Sequence, residues 1–115
     1  MIVEDEENIS ELLRINLSLS SFEVVVAVDG ESGLKMVYDL RPDLVLLDIR
    51  LDGMSGLDIC RIVRKDPTFK KMYIIALSAA TQEEEIKEII AAGANEFISK
   101  PFDLGMLIKR TLSFQ

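Results

Sequence analysis

The 115-residue chain contains no histidine and a single cysteine, Cys60. Without histidine the chain has no imidazole base, no imidazole metal ligand and no phosphohistidine of its own. One cysteine excludes an internal disulfide framework and fits a reducing compartment, so a cytoplasmic location is expected. Long apolar runs are missing too. The longest, at residues 24–28 and 73–77, fall far short of the roughly 20 residues that cross a bilayer, and no membrane insertion is expected. Met1-Ile2-Val3 passes directly into Glu4-Asp5-Glu6-Glu7, without the basic-then-apolar order of a secretory leader. Positive charge is scarce: 13 Lys and Arg face 20 Asp and Glu, for a net charge of −7. Such a surface repels phosphate backbones, which argues against direct nucleic-acid binding.

What is present describes one globular domain over residues 1–115, with 49% hydrophobic and 29% charged residues and no internal repeat, linker or low-complexity stretch. Short β-branched runs at 2–3, 24–28, 44–47, 73–77 and 97–98 are apolar at nearly every position, as in strands covered on both faces. Five segments of helical period follow them. The first carries Ile9, Leu12, Leu13 and Leu17, with a capping pattern at Asn8 and Glu11. The second carries Leu34, Val37 and Tyr38 and stops before Pro42. The third carries Ile59, Ile62 and Val63 behind Ser55 and Asp58, and the fourth Ile86, Ile89 and Ile90 between Thr81–Glu84 and Gly93. The fifth runs from about Asp103 through Leu104, Leu107 and Ile108. Five βα units imply right-handed crossovers and an α/β, doubly wound, five-stranded parallel sheet with five helices.

Ligands bind such sheets at the carboxyl ends of the strands. Glu4 and Asp5 follow the first strand, Asp48 ends the third, Ser78 follows the fourth and Lys100 the fifth. In the flavodoxin-like order 2-1-3-4-5 the first and third strands are neighbours, so three carboxylates share one crevice. Crowded carboxylates repel one another unless a proton or cation intervenes. An all-oxygen donor set suits a hard cation, with Mg²⁺ favoured where phosphate completes the coordination.

Four segments then carry a family resemblance: Ile2-Val3-Glu4-Asp5-Glu6, Val45-Leu46-Leu47-Asp48-Ile49, Ala76-Leu77-Ser78-Ala79 and Ile98-Ser99-Lys100-Pro101-Phe102. In order and spacing they resemble the receiver domain of two-component response regulators, over essentially the whole chain. The resemblance implies a phosphorylation-dependent switch rather than an enzyme, one that assists its own phosphorylation and dephosphorylation. Asp48 would become an aspartyl phosphate. Glu4, Asp5 and Asp48 would hold Mg²⁺ together with the backbone carbonyl of Arg50. Ser78 would bond a phosphoryl oxygen, the small Ala79 would leave room for it, and Lys100 would pair with phosphate and carboxylate. Phe97 stands at the family's rotating aromatic position, and the Lys100–Pro101 bond would be cis. The implied partners are a sensor histidine kinase or phosphotransfer protein and a downstream effector domain or protein.

Taken singly, each residue has an ordinary explanation: Asp48 as a cap, Glu4–Glu7 as an acidic helix start, Ser78 as a loop hydroxyl, Lys100 as a surface lysine, Phe97 as core. Their joint placement at one rim favours the functional reading. Two features depart from the family pattern. Asp52 stands where proline is frequent, in Leu51-Asp52-Gly53-Met54, and Arg50 brings a side chain that could reach the carboxylates. The first strand also begins abruptly, as in a trimmed start or an excised domain.

Three other classes share part of this pattern. A haloacid-dehalogenase-type phosphohydrolase needs an acid two residues after its nucleophile, where Arg50 stands. A flavin-binding module needs a glycine- and hydroxyl-rich loop after the first strand, where acids stand. A degenerate receiver would act only as a protein-interaction module. The output face is expected on the fourth helix, fifth strand and fifth helix, residues 81–112. Lys87, Glu88, Glu96, Lys109 and Arg110 there partly resemble the face through which winged-helix-linked receivers form homodimers, and they also suit a plain solvated surface.

Overall fold

Strand β3 (Leu44–Asp48) is buried at all five positions, and β4 (Tyr73–Ser78) at all but its first. Both are covered on two faces, which is why their sequences run apolar without alternation. The computed structural model describes residues 1–51 and 53–114; Asp52, the residue in the usual proline position, lies outside them. The remaining strands are β1 (Ile2–Val3), β2 (Val26–Ala27) and β5 (Glu96–Ser99). All are parallel, in the order β2-β1-β3-β4-β5. This is the flavodoxin-like order read from the sequence.

The pleat sends alternate side chains to opposite layers. Ile2, Leu44, Leu46, Ile75, Leu77 and Ile98 pack with Leu13 and Leu17 of α1 (Glu7–Leu19) and Leu107 of α5 (Leu104–Leu112). Val3, Val45, Leu47, Ile74 and Ala76 pack with Val37 of α2 (Gly30–Leu40), with Ile59, Cys60 and Val63 of α3 (Gly56–Arg64), and with Ile89 of α4 (Glu83–Ala91). Among the described residues, no helix is long and apolar enough to cross a membrane.

Three local expectations need correction. The run at 24–28 yields only a two-residue strand, because β2 lies at the sheet edge, where Val28 is 61% exposed. Asn8 and Glu11 do not cap α1. The cap position lies two residues earlier, at Glu6, whose carbonyl accepts from the amides of Ile9 and Ser10. Thr81 and Glu84 form no capping box either; Gln82 holds the cap position of α4, without a side-chain cap bond among the described residues. The cap on α3 is as expected, with Ser55 Oγ accepting from the Asp58 amide at 3.2 Å. Asp103, expected only as the approximate start of α5, also caps it, its Oδ1 accepting from Met106 at 3.0 Å. Asp29 adds an unanticipated cap on α2, accepting from Ser32 at 2.8 Å.

Candidate functional site

The sheet's carboxyl edge gathers side chains from four of its strands. Pairing of Val3 with Leu47 puts the next residues, Glu4 and Asp48, side by side. Glu4 is fully buried and Asp48 is 3% exposed, while Asp5 is half-buried. Carboxylate oxygens of Glu4, Asp5 and Asp48 lie within 4.8 Å of one another.

Lys100 closes the group from the far side. Its backbone amide donates to the Ser78 carbonyl at 2.8 Å, prolonging the β4–β5 ladder by one residue. Its Nζ donates to Glu4 Oε1 at 2.8 Å and lies 3.3 Å from Asp48 Oδ2. The Lys100–Pro101 peptide bond is cis. Asp48 Oδ1 accepts from the Arg50 amide at 3.2 Å. The Arg50 side chain is exposed and, among the described residues, forms no ion pair with Glu4, Asp5 or Asp48.

Ser78 is buried at the end of β4, where its Oγ accepts from the Ala80 amide at 3.1 Å and keeps its own proton to donate. Ala79 beside it is exposed. Phe97 is half-buried beside Ala76 and packs into the layer that holds α4.

Burial first, and then contact with the Asp48 carboxylate, pushes the Glu4 carboxyl up to about 7, against the pull of Lys100. For Lys100, burial works downward, but the bond to Glu4 and the charges of Asp48 and Glu4 outweigh it and raise the ammonium. The second Glu4 oxygen, Oε2, is buried and has no hydrogen-bond partner among the described residues. A buried acceptor in that condition costs about 1–3 kcal/mol unless something fills its lone pairs. Three carboxylates and one orphaned oxygen fit a hard divalent cation.

One residue of the site was missed from the sequence. A Cβ on Gly56 would sit 2.4 Å from the Asp48 carbonyl oxygen, so only glycine lets α3 start against the backbone of Asp48. The signal available was a glycine directly after the capping Ser55.

Comparison with known proteins agrees with this geometry. The response regulator receiver domain family matches residues 1–112. DNA-binding response regulator MtrA of Mycobacterium tuberculosis is 38% identical over 110 residues, covering 96% of this chain and 47% of that protein. The phosphate regulon regulatory protein PhoB of Rhizobium meliloti is 38% identical over 109 residues, covering 95% of this chain and 48% of its own length. The chain therefore spans about half the length of these curated relatives. Among solved structures, chemotaxis response regulator CheY4 of Vibrio cholerae superposes with a TM-score of 0.91 at 27% identity, over 99% of this chain and 95% of that one. This chain belongs to the response regulator receiver domains of two-component systems.

Proposed function

We propose that Asp48 accepts a phosphoryl group from a sensor histidine kinase or phosphotransfer protein, with Glu4 and Asp5 holding Mg²⁺, and that the new charge alters the face formed by α4, β5 and α5. The observation that carries this reading is the meeting of Asp48 with Lys100, Glu4 and Asp5 in one crevice, with Lys100 Nζ 3.3 Å from Asp48 Oδ2.

An Asp48 oxygen attacks phosphorus, the phosphorus–nitrogen bond of the donor breaks, and the imidazole leaves with that electron pair and regains a proton from water. Asp48 is a carboxylate meeting an anion, so repulsion is the main obstacle. Lys100 supplies one compensating charge in place. Mg²⁺, held by the Glu4, Asp5 and Asp48 carboxylates and the Arg50 carbonyl, would neutralise the rest of the phosphoryl charge. Exposed Ala79 leaves the approach open, and Ser78 carries a hydroxyl proton for a phosphoryl oxygen.

A phosphoryl group adds about two negative charges. Hydrogen bonds to charged groups contribute roughly 1.5–3 kcal/mol each. Ser78 and Lys100 together can supply much of the roughly 5.5 kcal/mol that takes a two-state population from 1:99 to 99:1. The movement of Ser78 frees space for Phe97 to turn inward, which carries the change to α4 and α5. Residues 1–115 act as one cytoplasmic receiver domain that regulates without catalysing turnover and passes its signal to an effector domain or protein. Homodimerisation through α4, β5 and α5 is one use of that face. Incubation with Mg²⁺ and acetyl phosphate, read by intact mass, should add one phosphoryl group to the wild type and none to Asp48→Asn. Labelling of any residue other than Asp48 refutes the reading.

A further inference from the structure

Glycine opens α2 as well as α3, and at both places main chain presses against it. A Cβ on Gly30 would sit 1.9 Å from the Met54 carbonyl oxygen, 2.8 Å from its carbon and 2.9 Å from Met54 Cβ. The obstruction is backbone, so no change of rotamer relieves it. The start of α2 is itself fixed. Asp29 Oδ1 accepts from the Ser32 amide and from Ser32 Oγ, each at 2.8 Å. The first residue of α2 is therefore a stop against which Met54 rests.

Met54 stands two residues before Gly56, whose amide donates to the Ile49 carbonyl at 2.9 Å. That carbonyl and the Arg50 amide belong to one planar peptide unit, so they move together. On its other side the same unit donates, through Arg50 N, to Asp48 Oδ1 at 3.2 Å. Two backbone contacts and one rigid plane thus join the beginning of α2 to the Asp48 carboxylate.

We propose that Gly30 is a positioning residue for Asp48: by leaving room for the Met54 carbonyl, it keeps the Ile49–Arg50 peptide plane where its N–H fixes the rotation of the Asp48 carboxylate. This rests on the phosphoacceptor reading above and deepens it. Any side chain at position 30 displaces Met54, tilts that plane and frees the carboxylate to turn. The loss falls on the rate of attack rather than on donor binding. Ser78 and Lys100, which meet the phosphoryl group, stand at the ends of β4 and β5 and are untouched by the displacement.

Three variants test it: Gly30→Ala, Gly33→Ala and Asp29→Ala. Each is measured for phosphorylation by acetyl phosphate with Mg²⁺, for amide exchange at Arg50 by NMR, and for stability in urea. Gly30→Ala should lower the limiting rate by about tenfold or more, leave the half-saturating acetyl phosphate concentration unchanged, and quicken exchange at Arg50. Gly33→Ala overpacks the same helix elsewhere, its Cβ 2.8 Å from Val3 Cγ1. It should lose stability yet keep the wild-type rate and the protection of Arg50. Asp29→Ala adds no atoms and only loosens the start of α2, so it should shift rate and exchange in the direction of Gly30→Ala by a smaller factor. It decides the matter if Gly30→Ala does not fold. Wild-type rate and Arg50 exchange in either Gly30→Ala or Asp29→Ala overturn the proposal. So does a Gly33→Ala protein slowed as much as Gly30→Ala, since packing of the whole helix would then be the cause. A wild type that takes up no phosphoryl group removes the phosphoacceptor reading and this proposal with it, a result seen before any variant is made.

Discussion

Gly56 lies against Asp48 so closely that a Cβ would sit 2.4 Å from the Asp48 carbonyl oxygen and 2.8 Å from Ile49 Cα. The Gly56 amide also donates to the Ile49 carbonyl at 2.9 Å. The start of α3 is therefore pressed onto the segment that aims Asp48. Gly56→Ala should cost about 1–3 kcal/mol by overpacking and slow phosphorylation through displacement of Asp48. Urea denaturation and acetyl phosphate kinetics check both effects; an alanine variant of wild-type stability and rate would contradict the contact.

The Glu4 carboxyl gives stability a pH dependence of defined sign. Its ordinary value of 4.5 is pushed up to about 7 by burial and by Asp48, so between those values the folded chain holds a proton that the unfolded chain has lost. Stability must then fall as pH rises through that window. Each tenfold change in an ionisation constant corresponds to about 1.4 kcal/mol, so the loss is on the order of 1–3 kcal/mol. The Met1 amino group, lowered to about 6 by burial, acts in the opposite sense between 6 and 8. The readout is therefore the difference between wild type and Glu4→Gln. In EDTA, that difference in unfolding free energy should decline for the wild type from pH 5 to pH 7.5. A flat difference would show that the Glu4 proton does not report on folding.

Arg64 ties α3 to the connection between α4 and β5. Nε donates to the Gly93 carbonyl at 2.8 Å, Nη1 to Phe69 O at 2.9 Å and Nη2 to Asn95 Oδ1 at 2.7 Å. Gly93 has φ +119° and leaves no room for a Cβ, which would meet Arg64 Cγ at 2.3 Å. Arg64→Met strands these acceptors and should cost about 2–4 kcal/mol. Amide exchange should quicken first in α4 and at Asn95, rather than in β1 or α1. Uniform exchange changes across the sheet would count against a local clamp.

Cys60 is completely buried, and burial pushes its thiol up to about 11. The reactive thiolate is thus scarce at neutral pH. A thiol reagent at pH 8 should label the native protein no faster than it unfolds, and label it at once in concentrated urea. Rapid labelling without denaturant would place Cys60 at the surface.

Much of this architecture was legible in the sequence. The runs around Leu46 and Ile75 are apolar on both faces, and that pattern alone implies a covered parallel sheet. The caps at Ser55 and Asp103 were readable because a side chain and an amide three residues apart meet in any helix start. The starts of α1 and α4 were not, because Glu6 and Gln82 hold the cap positions there without a side-chain cap bond, so no local side-chain pattern marks them. The extent of β2 was hidden for another reason. An apolar run does not reveal that it lies at a sheet edge, with Val28 facing solvent.

Residue order by itself determined that Glu4, Asp5, Asp48, Ser78 and Lys100 stand at strand ends, since the alternation of strand and helix is a local property of patterning. Only the tertiary structure decided how they divide their bonds. Lys100 rests on Glu4 at 2.8 Å and more loosely on Asp48 at 3.3 Å, one Glu4 oxygen has no hydrogen-bond partner among the described residues, and Gly56 abuts the Asp48 carbonyl. Those choices depend on distances between segments as many as 96 positions apart in the chain. Such distances are set by close packing of the layers, which leaves each side chain one place to stand and no local trace of it.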